Sequence, residues 1–265
     1  LQGYHVESDY SAQVARFQAA WEAEVDRLYS VEHGTPMAQS EVIGVVNRLS
    51  RPQDVVLCAA GSLPGDLHKL WRTRDPKGYH LEYGYSCMGY EIAGGLGVKM
   101  AAPEREVYVM VGDGSYLMMA QEIVTSVQEG YKLNIILLDN HGFSSISGLS
   151  ESLGCGGFGA YYRYRNPKTG LLDGDVLPVD FGANAASLGA HVLKAANRDQ
   201  LADAIEAAKG IDRTTVIVVE TDIAARVPGY ESWWDVPVAE VSEIASVREA
   251  RAKYEAMRAK ERHHL

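Results

Sequence analysis

Two apolar runs, Val107–Val111 and Leu133–Leu138, each end abruptly in small or polar residues: Gly112-Asp113-Gly114-Ser115 after the first, Asp139-Asn140 after the second. Asp113 and Asn140 are 27 positions apart, about the length of one strand–helix–strand repeat in a parallel α/β unit. If the runs are neighbouring parallel strands, their C-terminal ends lie side by side, which is where open α/β sheets bind ligands. A carboxylate, an amide oxygen and glycine-rich backbone then meet at one point. Such hard oxygen donors suit a divalent cation like Mg²⁺ holding a diphosphate.

The rest of the chain repeats the alternation. Residues 11–29 place Val14, Phe17, Trp21, Val25 and Leu28 at helical spacing, and Ser40 starts a second helical pattern through Leu49. Val55–Ala59 has the length and composition of a buried parallel strand, and it delivers Ala60-Gly61-Ser62-Leu63. An irregular polar stretch follows, then a glycine-rich turn entering a helix over Tyr85–Met100. Beyond Gly142, a Gly-, Ser- and Tyr-rich loop is expected to about Leu177. Helices at Phe181–Leu188 and Asp199–Ala208, strands at His191–Lys194 and Thr215–Glu220, and a charged helical tail over Val241–Lys260 complete the pattern. Strands alternating with helices predict a doubly wound, mostly parallel α/β sheet with helices on both faces. The expected organisation is a helical lead-in over 1–39, the α/β domain over 40–228 and a turn plus helical tail over 229–265, with His263-His264 as a frayed end.

Composition removes several classes of function. With 265 residues and 46% hydrophobic content the chain can bury an ordinary core, and its net charge of −10 is the wrong sign for a nucleic-acid footprint. No apolar run approaches the roughly 20 residues that span a bilayer. Cys58, Cys87 and Cys155 have no metal-like spacing. They read as reduced thiols of a cytoplasmic protein, two of them expected to be buried.

Gly112-Asp113-Gly114 followed by Asn140 resembles the signature of thiamin diphosphate enzymes. The resemblance implies that Asp113 and Asn140 ligate Mg²⁺ through their side chains and Gly142 through its carbonyl oxygen. It also implies that Gly61, Ser62, Leu63, Gly112, Gly114 and Ser115 surround the diphosphate. Tyr85-Ser86-Cys87-Met88-Gly89-Tyr90 is similar to the segment in which a bulky apolar residue before a glycine wedges between the two rings of the cofactor, a role that falls to Met88 beside Gly89. His141, between two expected metal ligands, is the one histidine singled out as a candidate catalytic group. Tyr161–Lys168, with Arg163 and Arg165, reads either as a solvated loop or as a lid over a polar substrate.

The likeness is to one domain type, the C-terminal diphosphate-binding domain of the acetolactate-synthase-like group. In that group a pyrimidine-binding domain supplies the glutamate that activates the cofactor, and no counterpart is visible here. That domain is therefore the expected partner, on the same polypeptide or a second subunit; the chain alone is expected to be inactive, and the assembly a homo-oligomer. Cys58–Trp71, Tyr79–Met100 and Val109–Glu122 resemble most the hydrolases of inositol catabolism that open a polyhydroxylated cyclic diketone. Two alternatives stay open: a 2-oxo-acid decarboxylase or carboligase, and a non-catalytic cofactor-binding module.

Overall fold

The structure, a computed structural model, describes residues 3–157, 159–229 and 233–262; the expected frayed end at His263-His264 lies outside them. Six strands form one sheet: β1 (Val55–Cys58), β2 (Tyr79–Leu81), β3 (Val107–Gly112), β4 (Asn134–Asp139), β5 (His191–Ala195) and β6 (Thr215–Glu220). Every pairing is parallel, and the spatial order is β2-β1-β3-β4-β6-β5. From β1 the chain moves outward to β2, then crosses back to place β3 on the other side of β1. The order reverses between β1 and β3, and that crevice is where such sheets take ligands.

The uninterrupted apolar runs follow from burial on both faces, since successive strand residues point to opposite sides. Tyr108, Met110, Ile136 and Leu138 pack into one core with α1 (Ser8–Tyr29), α2 (Gln39–Leu49), α3 (Ser62–Leu70) and α9 (Arg198–Lys209). Val107, Val109, Val111, Ile135 and Leu137 pack into the other with α4 (Tyr90–Ala101), α5 (Asp113–Met118), α6 (Glu122–Glu129) and α8 (Phe181–Ser187). Two helices stand at the C-terminal edge: α7 (Ser144–Ser152) and α10 (Ala245–Arg258), the latter closing a small cluster of Val238, Val247 and Tyr254. Among the described residues no helix is long and apolar enough to cross a membrane.

Three elements stand where the pattern predicted irregular chain. The first, α3, contains Pro64 and Gly65, which read as breakers. A proline in the first turn, however, lacks only an N–H that has no helical partner anyway, and Leu63, Leu67 and Leu70 share one buried face. The edge strand β2 is three half-buried residues long, too short to show a period. The serine-rich α7 buries only Ser147 and shows no apolar stripe. The cysteine expectation is corrected as well. Only Cys58 is buried, because Cys87 and Cys155 ride on exposed loops rather than under them.

Close helix–sheet approach depends on Gly95, where an added Cβ would lie 2.4 Å from Val109 Cγ2, whereas Gly97 on the same helix faces open space. Gly95→Ala should therefore lose about 1–3 kcal/mol through overpacking. Gly97→Ala should gain up to about 1 kcal/mol from helix propensity. Urea unfolding of the two variants checks the opposite signs.

Candidate functional site

Register brings the two strand ends together. Gly112 pairs with Leu138, so Asp113 and Asp139-Asn140 leave adjacent strands at the same level. Asp113 is 1% exposed and acts as the hub of the junction. Its Oδ1 accepts from the Gly114 N–H at 2.6 Å, and its Oδ2 accepts from the N–H groups of Asn140 at 3.0 Å and Gly142 at 3.2 Å. One carboxylate thus bridges both strand ends. Gly142 must be glycine for steric reasons, since a Cβ there would lie 2.4 Å from the Ala160 carbonyl oxygen.

A cavity of about 260 Å³ opens in front of this junction. Its wall includes Gly61, Ser62 and Leu63 from the β1 exit, Met88, then Gly112, Asp113, Gly114 and Ser115, and finally Asn140 and Gly142. Gly89 stands just behind, starting α4 at φ +91°, a left-handed conformation that favours glycine. The N-termini of α3 at Ser62 and α7 at Ser144 line the same space, and among the described residues no side chain caps either, so their first-turn backbone N–H groups are suited to an anion.

Burial, reinforced by the adjacent Asp139 carboxyl, pushes the Asp113 carboxyl well above the ordinary carboxylate range. Asn140 is 8% exposed, and among the described residues its Oδ1 has no hydrogen-bond partner. A buried unpaired amide oxygen beside two crowded carboxyl groups is costly as it stands. A hard divalent cation resolves both problems, so these residues fit Mg²⁺.

His141 lies differently. With φ +61° it turns its ring to Asp139, where Nδ1 is 3.1 Å from Oδ1, and to Glu220, where Nε2 is 3.1 Å from Oε1. The cavity wall passes from Asn140 to Gly142 without it. Arg163 and Arg165 donate to carbonyl oxygens of Gly174 and Gly170 within their own loop, and the Tyr161 hydroxyl is held by Glu151. The sequence reading did not single out Gln39, Ser144, Ser145 and Ile146, which also line the cavity, or Glu91, buried behind it. Glu91 left one signal, a carboxylate in an otherwise apolar, glycine-rich helix start.

A family model described as thiamine pyrophosphate enzyme, C-terminal TPP binding domain, matches residues 59–219. Proteins named 3D-(3,5/4)-trihydroxycyclohexane-1,2-dione hydrolase from Bacillus cereus (strain AH820) and Bacillus anthracis (strain A0248) are each 42% identical, with 94% of this chain aligned. One from Bacillus thuringiensis (strain Al Hakam) is 41% identical over the same share. The chain spans 42% of the length of these curated relatives. Among solved structures, a Rhodococcus jostii RHA1 thiamine diphosphate-dependent 4-hydroxybenzoylformate decarboxylase superposes with a TM-score of 0.61 at 21% identity. That likeness, over 72% of this chain and 34% of the other, is one of fold.

In the presence of thiamin diphosphate, Mg²⁺ should raise the melting temperature, and Asp113→Ala or Asn140→Ala should abolish the rise. Because protons compete for a carboxyl whose pKa is raised, the rise should be larger at pH 8 than at pH 6. Differential scanning fluorimetry with and without the metal reads both effects.

Proposed function

Because the chain belongs to the thiamine pyrophosphate enzymes, as their C-terminal TPP-binding domain, we propose that it holds the diphosphate and metal of thiamin diphosphate in the cavity at the β1, β3 and β4 ends. In this reading Asp113 and Asn140 ligate Mg²⁺ by their side chains and Gly142 by its carbonyl oxygen. Gly61, Ser62, Gly114 and Ser115 present backbone amides to the diphosphate, with Leu63 and Gly112 completing the wall. Met88, which is half-buried in that wall, is the wedge between the two cofactor rings, with Gly89 giving its loop the turn it needs. The observation that carries the reading is the unpartnered Asn140 Oδ1 beside the Asp113 hub.

The whole protein is proposed to be a Mg²⁺- and thiamin diphosphate-dependent hydrolase that opens the ring of 3D-(3,5/4)-trihydroxycyclohexane-1,2-dione in cytoplasmic inositol catabolism. The names of the 42%-identical relatives support this. When bound, the cofactor supplies a nucleophilic carbon and an electron sink for C–C cleavage. The residues of this chain orient it, neutralise its diphosphate through the metal and fix its bend at Met88. The activating glutamate is expected from a pyrimidine-binding domain, elsewhere on the polypeptide or on a second subunit of a homo-oligomer.

Substrate charge weighs against a 2-oxo-acid decarboxylase. Among the described residues the cavity wall carries no Lys or Arg to meet a substrate carboxylate, while Ser86, Ser144, Ser145 and Gln39 offer hydrogen bonds to hydroxyl groups. The protein complete with its pyrimidine-binding domain should turn over the cyclic dione and leave pyruvate untouched; the reverse preference would overturn the assignment. In the same protein Met88→Ala should lower kcat at least tenfold while changing the cofactor Kd by less than about threefold. Equal losses in both would reduce Met88 to packing.

A further inference from the structure

Behind the cavity wall, three groups close a hydrogen-bonded triangle. The Gly89 N–H lies 2.7 Å from Ser115 Oγ and 3.0 Å from Glu91 Oε2 and donates to both. The Ser115 hydroxyl donates in turn to the Glu91 carboxylate, with its Oγ 2.8 Å and 2.7 Å from the two oxygens. Glu91 is 1% exposed and Ser115 3%. Among the described residues Glu91 takes part in no ion pair, and burial pushes its pKa up. An unpaired carboxylate in an apolar helix start is unfavourable unless donors occupy its oxygens. Here the donors come from two different segments, the loop leading out of Met88 and the first turn of α5 after Asp113-Gly114.

We propose that Glu91 is a positioning residue that sets the distance between the Met88 wedge and the diphosphate loop at Gly114-Ser115. This rests on the roles assigned above to those two loops. Met88 precedes Gly89 directly, so anchoring the Gly89 N–H at two points restricts the backbone that carries the wedge. Glu91 sits in the first turn of α4, where the positive end of the helix dipole favours a carboxylate. The arrangement also determines what Ser115 can do. Its single hydroxyl proton is directed at Glu91, so its hydroxyl cannot also donate to an anion in the cavity. Ser115 serves the diphosphate through its backbone N–H, and its side chain belongs to the brace.

The test uses the complete protein with its pyrimidine-binding domain. Glu91→Ala, Glu91→Gln, Ser115→Ala and the double variant Glu91→Ala/Ser115→Ala are compared by steady-state turnover, by calorimetry of thiamin diphosphate with Mg²⁺, and by amide hydrogen exchange. Glu91→Ala should lower kcat about tenfold to a hundredfold, as a small misplacement of a reacting geometry does, with the cofactor Kd within about threefold of wild type. Exchange at the Gly89 amide should accelerate at least tenfold while the β3 and β4 amides keep their protection. Glu91→Gln should recover part of kcat, since its amide oxygen still accepts one bond, and the double variant should be no worse than Glu91→Ala, because both changes remove the same brace. Should Glu91→Ala not fold, Glu91→Gln and Ser115→Ala carry the same Gly89 readout. Parallel losses of kcat, cofactor affinity and strand protection would make Glu91 a packing residue. Unchanged kcat and unchanged Gly89 exchange would also overturn the proposal. A wild-type protein that binds no thiamin diphosphate would instead bring down the functional reading on which it rests.

Discussion

Asp113 is the side chain on which the site hangs. It accepts from three backbone amides, one on its own turn and two beyond the neighbouring strand. Leaving a buried amide unpaired costs about 1–3 kcal/mol. Removing this carboxylate would therefore release the β3 and β4 exits from one another, besides deleting an oxygen donor. The hub works only because the β3–β4 register delivers both exits at one level. A shift of one residue would turn Tyr108 and Met110 into the opposite core and carry Asp113 away from Asn140. Core packing and site geometry are thus two consequences of the same register.

Charge explains why such a junction needs help from outside the chain. Two carboxyl groups, Asp113 and Asp139, lie side by side, and burial together with that neighbour raises the cost of ionising Asp113. Among the described residues no basic side chain in the cavity wall relieves them. Under the proposed function a divalent cation does so, and the same ion lets an anionic diphosphate approach a wall that would otherwise repel it. Under the same proposal the phosphate oxygens are held by backbone: the amides at the starts of α3, α5 and α7. Glycine and serine dominate this wall because small residues leave those amides open to a ligand.

How much of this is legible in the sequence depends on how local each determinant is. The strand ends at Asp113 and Asn140 are legible because burial on both faces writes uninterrupted apolar runs that stop where the ligand side begins. Thr215–Glu220 is legible to the residue for the same reason. α3 and α7 are not, since Pro64, Gly65 and Gly148 look like breakers and their compensation is tertiary. Gly148 makes room for the Arg226 guanidinium, which a Cβ would meet at 2.1 Å. Glu91 is visible as an oddity, but its partners sit in different elements, and only the folded chain shows that Ser115 and Gly89 converge on it. His141 illustrates the opposite case. Its place between two candidate ligands draws attention, yet at a left-handed backbone position its ring meets Asp139 and Glu220 instead of the cavity.

The cavity is closed on the metal side and open on the wedge side. Asp113, Ser115 and Asn140 are buried, whereas Met88 is half-buried and Tyr85, in the same loop, is 91% exposed. Met119 packs against Gly89, and with Leu117 and Met118 it extends an exposed apolar rim from that loop. Apolar side chains gathered at the mouth of a polar cavity stay unfavourably hydrated until another surface covers them. Under the proposed function the pyrimidine-binding domain is that surface. Covering the rim would also exclude water from the wedge, so the contact that completes the cofactor site would create the dry environment in which electrostatic effects on the bound cofactor are strongest. Under the proposed function, binding the diphosphate and shielding the reacting centre are separate tasks, and they fall to the buried and the exposed sides of this cavity respectively.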